Sequence, residues 1–170
     1  RLPPQVAPYP YCSSDGFGAA GVHDLNPVTW WLLKQGGIPL LGSLPPELPF
    51  TVEWATVVDY MRANLHTYWS QFTRPSPRLF WLLTNKGVEW AVLGICRLWY
   101  ALRSGDLPSK MAAGEAMLAQ GPPRWRRIVH EGLALRRGER SGYRWRVRRA
   151  GEAMWFVRYM IEICDTISPK

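Results

Sequence analysis

Ser109–Lys110 is the pair best placed for chemistry in this chain. It follows the turn Ser104–Gly105–Asp106–Leu107–Pro108, and serine is a preferred residue type for capping a helix start. Capping by Ser109 puts Lys110 in the first helical turn. There the free backbone amides favour negative charge, and a cation is disfavoured by about 0.3–1 kcal/mol. Such a lysine is explained by an anion that joins it, as at phosphate-binding helix ends, or by plain solvation. Arg136, near the end of a later helical pattern, can share that anion if the two helices pack as neighbours.

Other catalytic chemistries find little support. The histidines (His23, His66, His130) and cysteines (Cys12, Cys96, Cys164) are scattered, with no HExxH, CxxC or GxSxG arrangement. Cys96 falls in an apolar run and reads as a small core residue. Gly42–Ser43 resembles the opening of a nucleotidyltransferase signature. The acid-x-acid pair needed downstream to hold magnesium does not follow, since the region offers only Glu47, Glu53 and Asp59.

Charge is concentrated in one segment. Arg124 to Arg149 holds ten arginines against Glu131 and Glu139, a surplus equal to the +8 of all 170 residues. A localised basic surface implies an anionic partner without choosing among nucleic acid, a phosphate-bearing small molecule and acidic protein. Trp125 and Trp145 interleave with these arginines, as in single-strand binders. Both also fall near the apolar register of a helix, which favours a place in the core.

These residues need helices to position them. Asn26 and Pro27 open a first helix that Gly36–Gly37 ends. Ile38–Leu41 reads as a short buried extended piece, and Gly42–Pro49 as a loop. From Thr51, apolar residues at Trp54, Val57/Val58, Met61, Leu65, Tyr68/Trp69 and Phe72 define a five-turn helix. A short helix from Arg78 to Leu83 precedes Gly87 to Arg103, apolar on nearly every face and therefore the central buried helix. Ser109 to Gln120, a helix opened by Pro122–Pro123, and a last helix from about Trp145 to Ile163 complete the set. The apolar side of the last is predicted as Val147, Ala150, Met154, Val157 and Ile161.

Residues 1–25, with Pro3–Pro4, Pro8, Pro10 and several glycines, read as irregular, and no strand alternation stands out. The expected fold is all-α, a bundle of six or seven helices over 26–170. No run reaches the roughly 18–20 apolar residues of a membrane span. Arg1–Gly21 lacks the apolar region of a signal peptide, and the odd, scattered cysteines favour a reducing compartment, so a cytoplasmic location is expected. A start at Arg1 rather than methionine is consistent with a piece of a longer protein.

The pattern V-E-W-x-V-L-x-x-x-R-x-x-Y-x-L-x-x-G-x-x-x-S-K-x-x-A runs from Val88 through Arg97, Tyr100, Gly105, Ser109 and Lys110 to Ala113. It resembles the C-terminal helical domain of aminoglycoside 3''-adenylyltransferases, which act on streptomycin and spectinomycin, and of related nucleotidyltransferases. The resemblance extends from about Asp24 to Cys164. It implies an antibiotic-resistance enzyme of two domains that transfers AMP from ATP with Mg²⁺ to a hydroxyl of an aminoglycoside-like acceptor. The Gly-Ser motif, the metal-binding aspartates and the base would lie in a preceding nucleotidyltransferase domain, of which residues 1–25 would be a remnant. This chain would supply no metal ligands, and by itself would not transfer AMP.

By that resemblance Lys110, with Ser109, maps onto the family's phosphate contact, and Arg136 onto a second phosphate-side position where the family can carry tyrosine. Gly87 and Trp90 align with acidic and histidine positions on the drug side, so an acid that would greet a cationic acceptor is replaced. Glu89 and Trp90 are expected near the substrate. Membrane partners are not expected. The alternatives are a stand-alone basic helical module for nucleic acid, the less favoured partner, or a non-catalytic scaffold.

Overall fold

The computed structural model describes residues 8–13, 16–21 and 25–168; Pro3, Pro4, His23 and Asp24 lie outside them. The fold is all-α, with seven helices and one two-stranded hairpin among the described residues. Two compact units divide between Tyr60 and Met61.

In the first unit, β1 (Tyr9–Ser13) and β2 (Gly16–Gly21) pair antiparallel, with Tyr11 opposite Gly18 and Cys12 opposite Phe17. The irregular segment therefore contains a hairpin that the sequence reading did not find. Glycines at 16, 18 and 21 weaken the local strand signal, and cross-strand pairing supplies what propensity does not.

Helix α1 (Pro27–Gly36) begins as expected: Asn26 Oδ1 accepts from Thr29 N at 3.1 Å, and Gly37 N closes the end on Leu33 O. Lys34 Nζ donates to the carbonyls of Pro46 and Leu48 at 3.0 and 2.6 Å, tying the following loop to the helix. Trp30 packs on Phe50 and Trp31 on Trp54. The run expected to be buried is not: Ile38, Leu40 and Leu41 are 86%, 97% and 97% exposed. Four apolar residues cannot bury themselves without a facing element, and hydropathy alone does not say whether one exists.

Helix α2 (Trp54–Thr67) is shorter than its apolar pattern, because Trp69–Phe72 continues as a 3₁₀ turn. That turn keeps Trp69 and Phe72 buried in the second unit. Helix α3 (Pro77–Trp81) is capped by Ser76.

The centre of the second unit is α4 (Asn85–Ser104), against which α5 (Lys110–Gln120), α6 (Arg126–Arg136) and α7 (Arg146–Thr166) all pack. Val88, Ala91, Val92, Leu93, Ile95, Cys96 and Leu102 are each fully inaccessible, as the all-round apolar pattern of this segment requires. Burial pushes the Cys96 thiol up, and that of Cys164 up to about 12, so both remain protonated core residues.

Helix α7 is rotated from its predicted face. Val147 is 76% exposed, and Met154 and Ile161 are only partly covered, while Ala150, Ala153, Phe156, Val157, Met160 and Cys164 are buried. Trp145, expected in the core, is 63% exposed; Trp125 is half-buried against Phe156 and Tyr159. The observed face includes a charged residue: Arg149, 1% exposed, points inward. Its Nη1 lies 3.2 Å from Glu131 Oε1, 2.7 Å from Asn85 Oδ1 and 3.2 Å from Ser141 Oγ, and its Nη2 donates to Leu83 O. Glu131 also accepts from Ser141 Oγ at 2.5 Å and from Gly142 N at 2.9 Å. This buried cluster joins α6, the 138–145 connection and α7 to the start of α4. The start of α4 is where the site begins.

Candidate anion site

Helix α4 starts with Thr84, whose Oγ1 accepts from Gly87 N at 2.9 Å. Gly87 is buried against the end of α3. A Cβ there would stand 2.0 Å from Trp81 O, so only glycine allows this approach. Gly87→Ala is expected to cost about 1–3 kcal/mol through overpacking against backbone. Thermal melts check it: a loss no larger than that of an exposed substitution such as Arg148→Ala would contradict the close contact.

Two residues on, Glu89 and Trp90 project from α4. Trp90 is 38% exposed, and its ring lies 6.1 Å from that of Trp81. At the other end of the helix, Gly105 adopts the left-handed conformation (φ 73°) and closes α4 on Ala101 O. The chain then turns back, and Arg97 Nε donates to Pro108 O at 2.7 Å, clasping the turn to α4. Ser109 caps α5 as expected, its Oγ accepting from Ala112 N at 3.1 Å.

Lys110 is thereby delivered beside Glu89. Its Nζ lies 3.4 Å from Glu89 Oε1 and 3.9 Å from the centre of the Trp90 ring. Arg136, the last residue of α6, places Nη1 3.3 Å from the same Oε1. The side chains of Lys110 and Glu89 are 17% and 12% exposed, that of Arg136 49%. Burial lowers the Lys110 pKa; Glu89 opposes this, while the positive charges of Arg136 and Arg97 push it further down.

Five of the six residues singled out in the sequence therefore gather at one place: Lys110, Arg136, Glu89 and Trp90 in contact, with Ser109 holding the helix start. Gly87 lies beneath, and its evident work is to let α4 begin against Trp81. Lys110 does have an anion beside it, and that anion is internal: Glu89. Arg97 was visible in the sequence pattern without a structural role; its clasp on Pro108 joins residues eleven apart across a turn, which periodicity does not report.

A sequence model of the family described as "Aminoglycoside adenylyltransferase, C-terminal domain" matches residues 78–162, half of the chain. The chain belongs to this family. No curated protein matches the chain significantly. The family match includes Gly87, Glu89, Trp90, Ser109, Lys110 and Arg136, and it runs from the start of α3 nearly to the end of α7. The second unit thus carries the adenylyltransferase C-terminal-type domain. No helix among the described residues is long and apolar enough to cross a membrane.

Proposed function

We propose that this domain serves AMP transfer from ATP to an acceptor hydroxyl, holding the nucleotide's phosphates at Lys110 and Arg136 and the acceptor beside Trp90 and Glu89. The observation that carries the reading is the convergence of two cations from different helices on one partly open point at the start of α5. Two cationic donors there suit a polyphosphate. They do not suit Mg²⁺, which needs carboxylates that Glu89, already paired, does not provide alone.

Bound ATP supplies the α-phosphorus: the acceptor oxygen bonds to it as the bond to pyrophosphate breaks. Lys110 and Arg136 offset negative charge on the phosphates, and the clasp of Arg97 on Pro108 keeps Lys110 in position. Ser109 contributes by fixing the first turn of α5. Trp90 offers an aromatic face to the acceptor, and Gly87 sets its height. Residues before 26 would connect to a nucleotidyltransferase domain bearing the metal ligands and the base, in a cytoplasmic enzyme whose acceptor is aminoglycoside-like.

Lys110→Ala tests this. Calorimetric titration of ATP into the chain is expected to show weak binding that falls at least about tenfold in the variant, as for loss of a charged hydrogen-bond donor. Unchanged affinity would return Lys110 to the role of a structural ion-pair partner.

A second reading rests on a different surface. Trp145 and Trp155 are 63% and 53% exposed, with the guanidinium groups of Arg144 and Arg158 over their rings. Exposed tryptophans among arginines suit single-stranded nucleic acid. Salt-sensitive RNA binding that tolerates Lys110→Ala would favour it.

A further inference from the structure

Glu89 is an unusual neighbour for a phosphate seat. One of its oxygens, Oε1, receives both Lys110 Nζ and Arg136 Nη1, from two helices, at 3.4 and 3.3 Å. A position between two convergent cations suits a phosphate oxygen as it suits a carboxylate oxygen. Both contacts are longer than the roughly 2.7–2.9 Å of a tight charge-assisted hydrogen bond. Glu89 is therefore held by charge more than by geometry, and a better-fitting anion can replace it.

We infer that Glu89 is a resident counter-ion of this site, its carboxylate occupying the seat of a phosphate oxygen, so that a polyphosphate binds by exchange with Glu89 instead of adding to free cations. This rests on the phosphate reading of Lys110 and Arg136 and adds a threshold of affinity to it. The carboxylate neutralises one of the two cations and keeps a poorly hydrated Lys110 charged over the Trp90 ring. Displacing it costs the same for any anion. A triphosphate, with several charges and oxygens to offer, recovers that cost; a single phosphate does so far less. Glu89 thus sets a threshold of affinity that a polyphosphate passes and a weakly held single phosphate does not.

The experiment is calorimetric titration of inorganic triphosphate and of orthophosphate into the full chain, as wild type, Glu89→Gln, Glu89→Ala, Glu89→Asp and Lys110→Ala, each with its melting curve. Removing the competing carboxylate is expected to tighten triphosphate binding about tenfold in Glu89→Gln or Glu89→Ala, whichever keeps the native fold. Orthophosphate should gain by a similar factor in the same variant, so that the preference for triphosphate stays within about threefold of wild type. Glu89→Asp, which keeps the charge, is expected to stay within about threefold of wild type. If neutral variants bind triphosphate no better than wild type while Lys110→Ala binds worse, Glu89 orders the cations without competing, and the inference fails with the phosphate reading intact. If Lys110→Ala binds as wild type does, or no form binds triphosphate, the phosphate reading falls and the inference with it.

Discussion

Arg149→Ala is expected to be the most damaging single substitution in the arginine-rich segment, lowering stability by about 3–5 kcal/mol, the range found when one partner of a buried ion pair is removed. Glu131 would keep only Ser141 Oγ and Gly142 N, and Asn85 Oδ1 and Leu83 O would each lose a donor. The urea midpoint measures the loss. Arg148→Ala, one residue away and exposed, is the internal control and should stay within about 0.5 kcal/mol of wild type. Glu131→Gln should also destabilise, and the Arg149→Ala/Glu131→Gln pair should lose less than the sum of its members, since both remove the same interaction. If Arg149→Ala were no worse than Arg148→Ala, the inward turn of Arg149 would be wrong.

Phe156→Ala is the second large effect, and it measures the register of α7 directly. Phe156 is fully buried, with its ring 5.5 Å from that of Trp125 and nearly edge-on. Truncation removes buried area and leaves a cavity between α7 and the 3₁₀ turn Pro123–Trp125, a loss of about 3–5 kcal/mol. At roughly 2–4 °C per kcal/mol for a chain of this size, the melting temperature should fall by about 10 °C. Val147→Ala, on the face that hydropathy favours, should shift it by at most about 2 °C. The reverse ranking would restore the apolar side read from the sequence and displace the one seen in the structure.

The legible parts share a physical character. Asn26 and Ser109 cap their helices because a short polar side chain reaches the amide three residues on, and three residues of sequence contain the whole interaction. The segment around α4 is apolar on every side, so any packing buries it. Ile38–Leu41, the β1–β2 hairpin and α7 differ from what local sequence favours for the opposite reason. Their state depends on what faces them: nothing covers Leu40 and Leu41, strand pairing supports β2 despite its glycines, and a carboxylate on α6 draws Arg149 inward. A hydropathy pattern ranks Arg149 with its nine exposed or partly exposed neighbours, because burial of a charge is decided by its partner.

The same division runs through the site. Its residue types were determined by sequence alone: a capped lysine at a helix start, an arginine near the end of another helix, and a glutamate and tryptophan one helix earlier. The match to a family of adenylyltransferase C-terminal domains spans the same residues. Sequence also placed Lys110 where free amides disfavour a cation, leaving an anion or plain solvation to offset it. Which anion, only the tertiary structure decided. Glu89 lies twenty-one residues before Lys110 and forty-seven before Arg136. The three meet because α4, α5 and α6 pack together and Arg97 folds the intervening turn back onto α4. Spacing along a chain records neighbours on one helix; meeting across three helices depends on how they pack, and that packing placed a carboxylate of the protein's own between the two cations.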